Sequence, residues 1–266
     1  MDNTAEAALD LTPAQDAFTR AYEEGTAQVV WTRLVADLET PVSAYMKLVP
    51  DRGPSFLLES IEGGESRGRY SIIGLAPDLI WRAEGEKAWL NRTPQSAPDA
   101  FEACGAPTLQ ALRDLLAESA IDLPDDLPPM AAGVFGYMGF DTVRLVEHLP
   151  DDRGRAIDVP DAVMIRPTLI VIFDTVKDEL TIVTPVRANE GVTAADAYEH
   201  ARARLAGVVS ALERPLTLAP VSTAGDLKAP EPRSNTTPAE YMAMVQRAKD
   251  YITAGDAFQI VVSQRF

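Results

Sequence analysis

Leu57-Leu58-Glu59-Ser60 and Arg69-Tyr70-Ser71-Ile72-Ile73-Gly74 are the two stretches that decide the fold of this chain. Both contain runs of apolar residues of the kind that favours a β-strand. The glycine-containing residues 62–65 between them are typical of a turn. We therefore expect the two strands to lie side by side, which would bring Glu59 and Arg69 close to each other.

The composition is that of a globular protein with an acidic surface. The chain has 266 residues, 46% of them hydrophobic, which suits one large domain or two small ones. It carries 40 acidic and 24 basic residues, and the net charge of −16 disfavours binding to nucleic acid or to an anionic membrane. Cys104 is the sole cysteine, which excludes an intrachain disulfide. Neither a signal peptide nor a membrane span is recognisable, so a cytoplasmic location is expected.

Hydrophobic periodicity and capping signals predict a mixture of helices and strands. Capping boxes that begin at Thr12 and Thr237 predict helices that end at Gly25 and Gly255. Asp141 is predicted to cap a short helix. Further helices are predicted over residues 109–119 and 193–212. Strands are predicted over residues 29–31, 42–49, 55–60, 69–75, 78–82, 87–90, 131–140, 164–165, 169–173 and 180–186, and after Gly255.

One stretch is predicted to separate two parts of the chain. Residues 213–236 are rich in Pro, Ser, Thr and Ala and show little apolar periodicity, so they are interpreted as a linker. Residues 1–212 would then form one domain, and residues 237–266 would begin another.

Glu59, Ser60 and Arg69 together have the groups that a free amino acid needs. A carboxylate and a hydroxyl accept hydrogen bonds from an ammonium group, and a guanidinium donates to a carboxylate. From residue types alone, however, a cross-strand ion pair beside a turn serine is the better explanation.

Other candidate motifs predict no catalytic or metal-binding residue. The series Gly133, Gly136 and Gly139 lacks the lysine of a phosphate-binding loop and is better explained by close packing of strands. The two histidines, His148 and His200, stand in no metal-ligand motif, and Cys104 has no recognisable partner base.

The two opening stretches also carry a family resemblance when they are taken with Gly255-Asp256-Ala257-Phe258-Gln259-Ile260-Val261-Val262-Ser263-Gln264-Arg265-Phe266. In this order they resemble component I of anthranilate synthase, within the family of chorismate-binding enzymes. The resemblance covers roughly residues 27–266 and about the first half of a family member. It implies an α+β fold of two packed β-sheets with outer helices, incomplete at the C-terminus.

The resemblance also assigns roles to the parts of the chain. Residues 1–212 would be the N-terminal regulatory, tryptophan-binding domain, and residues 237–266 would be the truncated start of the chorismate-binding catalytic domain. The implied tryptophan effector site consists of Glu59, Ser60, Arg69, Tyr70 and Ser71.

For the whole enzyme, the resemblance implies a lyase of tryptophan biosynthesis that converts chorismate and ammonia to anthranilate and pyruvate. Ammonia would come from a glutamine amidotransferase partner subunit, and Mg²⁺ would clamp the chorismate carboxylate. The magnesium ligands and the catalytic histidine would lie beyond Phe266, so the chain alone is expected to be inactive. Two alternatives stay open: aminodeoxychorismate synthase component I of the folate pathway, and a stand-alone tryptophan-binding module without activity.

Overall fold

The structure is a computed structural model that describes residues 9–49, 53–59, 68–149, 157–216 and 231–266. The chain divides into two compact units, Met1–Thr217 and Leu218–Phe266. The α-helices are α1 (Gln15–Glu23), α2 (Pro41–Leu48), α3 (Thr108–Ser119), α4 (Ala194–Leu212) and α5 (Pro238–Ala254). The strands are β1 (Gln28–Val35), β2 (Phe56–Leu58), β3 (Tyr70–Glu84), β4 (Lys87–Asn91), β5 (Glu102–Ala103), β6 (Phe135–Met138), β7 (Ala162–Asp174) and β8 (Glu179–Val186). Short 3-10 segments cover Pro129–Ala131 and Phe140–Leu145.

The first unit is built on one antiparallel sheet of eight strands. Its order is β1-β8-β7-β3-β4-β5, with β2 beside β3 and β6 beside β7. The two long central strands, β3 and β7, pair with each other, and each is flanked on its outer edge by two shorter strands. Helices and an antiparallel sheet make this an α+β fold. The resemblance implied two packed sheets, whereas the described strands form a single one.

Helices α1, α2 and α4 cover one face of the sheet. Phe18 of α1 is fully buried, and its ring lies 5.1 Å from that of Tyr198 of α4 in an edge-to-face arrangement. Strand residues that alternate along β3 and β7, such as Ile73 and Val171, complete this cluster. Full burial of each large apolar side chain contributes about 1.5–3 kcal/mol, so this face is a main source of stability.

The opposite face has two smaller hydrophobic clusters. Trp31, Ile72 and Ile172 pack against Leu127 of the connection that follows α3. At the other end of the sheet, α3 packs on a second cluster that contains Trp81, which is fully buried.

A helix replaces the strand predicted over residues 42–49. Thr40 accepts a hydrogen bond from the backbone N–H of Ser43, and the Ser43 side chain accepts one from the Thr40 N–H, which makes a capping box before α2. Pro41 occupies the first turn, where its missing N–H leaves no helical hydrogen bond unmade. The β-branched residues favoured a strand, but the capping groups and contacts with α4 favour the helix.

Two predicted helix caps are also wrong. Thr12 pairs with Trp31 through two backbone hydrogen bonds, so α1 starts later, with Ala14 at its N-cap and no side-chain cap. Asp141 lies inside the 3-10 segment, and its carboxylate accepts from Arg144 at 3.1 Å instead of capping.

The second unit contains α5 and the extended segment that follows it. The predicted capping box at Thr237 and Glu240 is present, and Gly255 ends the helix with a φ of +85°. The strand predicted after Gly255 is absent, because no described strand pairs with residues 257–266. Two hydrogen bonds fix the segment instead: the Asn235 N–H donates to the Arg265 carbonyl, and the Arg265 N–H donates to Asn235 Oδ1.

Candidate functional site

Strands β2 and β3 bring most of the predicted site residues to one end of the sheet. The antiparallel register pairs Leu57 with Ile73 and Leu58 with Ile72, which confirms that the two opening stretches lie side by side. Extension of that register by one residue places Glu59, which is exposed, opposite Ser71. Ser60 lies outside the described residues.

Arg69 binds a carboxylate that the sequence did not single out. Its Nε donates to Asp174 Oδ1 at 2.9 Å and its Nη2 donates to Asp174 Oδ2 at 2.6 Å. The guanidinium carbon also lies 4.9 Å from the centre of the Tyr70 ring, within cation–π range. These two hydrogen bonds, the Arg69–Asp174 fork, fix the end of β3 to the end of β7. Tyr70 and Asp174 pair with each other at that point.

Asp174 is the most strongly held acidic group of this site. It is 8% exposed, and its Oδ1 also accepts from the backbone N–H groups of Val176 and Lys177. The hydrogen bond with the Arg69 guanidinium, and then the two backbone donors, lower the pKa of Asp174. The carboxylate therefore stays charged and holds both Arg69 and the β7–β8 turn. The sequence did show an acidic residue at the end of an apolar run, but nothing in the pattern linked it to Arg69.

Tyr70 and Ser71 point to opposite faces of β3. Tyr70 packs with Ile72 on the face that the connection after α3 covers. Ser71 is 3% exposed and, by strand alternation, lies on the same face as Ile73. The structure therefore places these neighbours against different surroundings, with Arg69 and Asp174 at the end of the strand pair.

A cavity of about 280 Å³ adjoins Tyr70 and Asp174. Arg33 on its wall donates to Asp126 at 3.0 Å and forms an ion pair with Glu179 at 2.7 Å. Asp126 and Glu179 on this wall are therefore already paired with Arg33, and the Tyr70 ring supplies an apolar surface beside them.

The part of the chain that the structure describes supports neither a metal site nor a nucleophilic cysteine. No group of three or more His, Cys, Asp or Glu residues there could hold a metal ion. Mg²⁺, which the resemblance implies, therefore has no matching ligand set among these residues. Burial raises the pKa of the Cys104 thiol, the opposite of what a nucleophile needs. None of the described helices is long and apolar enough to cross a membrane.

Comparison with known proteins places this sheet and its flanking helices in a family. Residues 53–266 match the family of chorismate binding enzymes. The chain is 45% identical to anthranilate synthase component 1 of Cereibacter sphaeroides over 255 residues, which are 94% of this chain and 50% of the relative. It is 37% identical to that of Mycobacterium tuberculosis over 97% of this chain and 50% of the relative. It is 36% identical to that of a Synechocystis species over 96% and 51%.

A solved structure agrees on the fold. Anthranilate synthase component I from Streptococcus pneumoniae superposes with a TM-score of 0.51 at 22% identity, over 84% of this chain and 45% of that one. The chain spans about half the length of the curated relatives that it matches. The resemblance drawn from the sequence is thus confirmed, and the chain belongs to the family of chorismate-binding enzymes.

Proposed function

We propose that this chain is the N-terminal half of component I of an anthranilate synthase. One observation carries the proposal: 45% identity over 94% of the chain with a relative of that name. The complete protein would convert chorismate and ammonia to anthranilate and pyruvate in the cytoplasm. The other relatives named above have the same name, which favours this function over aminodeoxychorismate synthase and over a binding module without activity.

The two units suggest a division of roles within the complete protein. Residues 1–212 would form the regulatory domain, residues 213–236 the linker, and residues 237–266 the start of the catalytic domain. In support, α5 has no buried residue, although Tyr241, Val245 and Ile252 give it an apolar stripe. Such a stripe would suit packing against another part of the complete protein, including the second sheet that the family resemblance implies.

The regulatory domain would bind tryptophan at Glu59, Ser60, Arg69, Tyr70 and Ser71. The acidic and hydroxyl groups suit the ammonium of the amino acid, and the Tyr70 ring suits its indole. Because Arg69 already holds Asp174, we assign Arg69 a positioning role beside any direct contact. Its fork would keep the ends of β3 and β7 in place when the effector binds.

Mg²⁺ and the partner subunit belong to the catalytic half of this proposal. The ion would supply charge stabilisation for chorismate, and a glutamine amidotransferase subunit would supply ammonia. This chain would bind the effector and support the fold, and alone it would be inactive.

The test uses a protein of the relatives' full length that contains this chain. It is mixed with chorismate, Mg²⁺ and ammonia, and the product is followed by anthranilate fluorescence and by chromatography. Formation of anthranilate, inhibited by tryptophan, is expected, and the 266-residue chain is the inactive control. Formation of aminodeoxychorismate, or turnover by the 266-residue chain alone, would overturn the proposal.

A further inference from the structure

A gap beside β7 holds a cavity lined by arginines. On the edge away from β3, β6 pairs with residues 162–165 of β7 and β8 pairs with residues 170–174. In the described part of the chain, no strand pairs with residues 166–169 on that edge. A cavity of about 310 Å³ opens at this gap. Its ionisable lining groups are Tyr22, Asp78, Arg166, Arg187, His200 and Arg204.

Arg166 forms the fixed wall of the cavity. It is 7% exposed, and its Nε and Nη2 donate to the two carboxylate oxygens of Asp78 at 2.7 and 3.1 Å. Its Nη1 donates to Glu118 Oε1 at 3.0 Å. Two carboxylates therefore balance the charge of Arg166, and the side chain is held in one place.

Arg187 lines the same cavity without a carboxylate partner among the described residues. Its Nη2 donates to the backbone carbonyl of Ser119 at 2.8 Å. Its Nε is buried and has no hydrogen-bond partner in the described part of the chain. Burial, and then the charge of Arg166, lower the pKa of Arg187. A buried donor that lacks an acceptor is costly, so this side chain favours a ligand that brings one.

Arg204 reaches the cavity from α4. Its Nη1 donates to Thr184 Oγ1 at 3.3 Å, and no described carboxylate lies within ion-pair distance of it. The Thr184 hydroxyl is itself engaged, because it donates to the backbone carbonyl of Thr168 at 2.9 Å. Arg202, two residues earlier on the same helix, differs in that it pairs with Glu199 at 2.8 Å.

We propose that this cavity binds a small dianion of the phosphate or dicarboxylate class, held by Arg187 and Arg204. Planar guanidinium groups match the oxygen pairs of both anion types. The chain has a net charge of −16, which repels anions from most of its surface. Two arginines without carboxylate partners at one cavity would attract an anion locally. The volume is at the small end of ligand sites, which suits an anion of few atoms.

The cavity is separate from the proposed tryptophan site. Arg166 and Asp174 lie on the same strand, and the eight residue steps from one to the other correspond to about 26 Å at the usual strand rise. An anion at Arg187 would therefore act independently of groups at the Arg69 end of the sheet. It would contact Arg187, directly after β8, and Arg204 of α4, and so would tie these two elements together.

The test measures anion binding to the 266-residue chain by calorimetry and by thermal shift. Inorganic phosphate and succinate are the two probes, each compared with sodium chloride at equal ionic strength. Arg204→Gln and Arg187→Gln are the test variants, and Arg202→Gln is the matched control, since it removes the same charge from the same helix. We expect binding to weaken at least about tenfold in both test variants and to be unchanged in the control.

Each outcome decides the proposal. Binding of phosphate alone, of succinate alone or of both, with loss in Arg204→Gln, supports the site and identifies the anion class. No binding of either probe in the millimolar range would overturn it, and so would equal weakening in Arg204→Gln and Arg202→Gln. Arg204 is exposed, so its variant is expected to fold normally, which circular dichroism checks, even if Arg187→Gln is unstable.

Discussion

Arg69 and Asp174 join the ends of the two central strands through a two-point ion pair, with N–O distances of 2.9 and 2.6 Å. The backbone reinforces this link, because the N–H of Thr175 donates to the carbonyl of Arg69 at 3.0 Å. A residue predicted to contact an effector is therefore also part of the frame that holds β3 to β7. Binding at this end of the sheet and the stability of the sheet are expected to be coupled.

We expect Asp174→Asn to lower the free energy of unfolding by about 1–3 kcal/mol at neutral pH, because it removes a charged acceptor from Arg69 and from two backbone donors. The pKa of Asp174 is lowered in the folded state, so its contribution is present above the ordinary pKa of 3.8 and is lost as the pH falls through the lower folded value. The difference between variant and wild type should therefore shrink below pH 3.8. Denaturant titration at several pH values measures it.

Asp122→Asn is the control for this experiment, since Asp122 is exposed. An Asp174→Asn protein as stable as this control at neutral pH would show that the fork contributes nothing to the fold.

Glu118 is expected to make the protein sensitive to strong acid. It accepts two hydrogen bonds from Arg92, both at 2.7 Å, and one from Arg166. The hydrogen bonds with Arg92 contribute most to lowering its pKa from 4.5 to about 2. The stabilisation is complete above pH 4.5 and disappears as the pH falls to about 2.

Glu118→Gln should therefore cost about 1–2 kcal/mol at neutral pH, less than the pKa change alone suggests, because solvent screens a partly exposed carboxylate. Acid unfolding followed by circular dichroism, with Glu102→Gln at an exposed site as the control, measures this. Superimposable acid-unfolding curves for wild type and Glu118→Gln would contradict the expectation.

The glycine at position 136 is required by the close approach of β6 to β7. A Cβ added there would lie 1.9 Å from the backbone oxygen of Val163, which cannot move aside as a side chain can. Gly136→Ala should therefore destabilise the protein by about 1–3 kcal/mol and loosen β6. Gly207→Ala is the matched control, because nothing lies within 4 Å of its added Cβ in α4, and it should stabilise by about 0.5–1 kcal/mol. Thermal unfolding of both variants tests the pair, and equal melting temperatures would refute this account.

The sequence predicted the strands better than it predicted which charged residues pair at their ends. Apolar runs identified β7 and β8, and the capping box at Thr237 identified α5, because these patterns depend on neighbours in the chain. The prediction of a strand over residues 42–49 is wrong because β-branched residues favour a strand, whereas the capping box at Thr40 and the contacts with α4 favour a helix. The segment after Gly255 has strand-forming residues, but a strand also needs a partner among the other strands.

The partners of charged residues could not be predicted in the same way. Arg69 and Asp174 are 105 positions apart in the chain, and Arg166 and Asp78 are 88 apart. Their pairing follows from the register between β3 and β7 and from the irregularity of that register near Pro77. No local pattern encodes that register, so the sequence predicts neither the Asp174 partner of Arg69 nor the cavity beside Arg166.

The proposed effector site leads to a last expectation, for a full-length protein that contains this chain. Glu59→Ala and Ser60→Ala should each weaken tryptophan inhibition by about tenfold, because a lost polar contact to a bound amino acid costs about 1–3 kcal/mol. Turnover without tryptophan should stay the same, since only the coupling between two sites is removed. Glu84→Ala, an exposed glutamate at the other end of β3, is the control. Inhibition curves at fixed chorismate measure the effect, and unchanged tryptophan sensitivity in both test variants would remove Glu59 and Ser60 from the effector site.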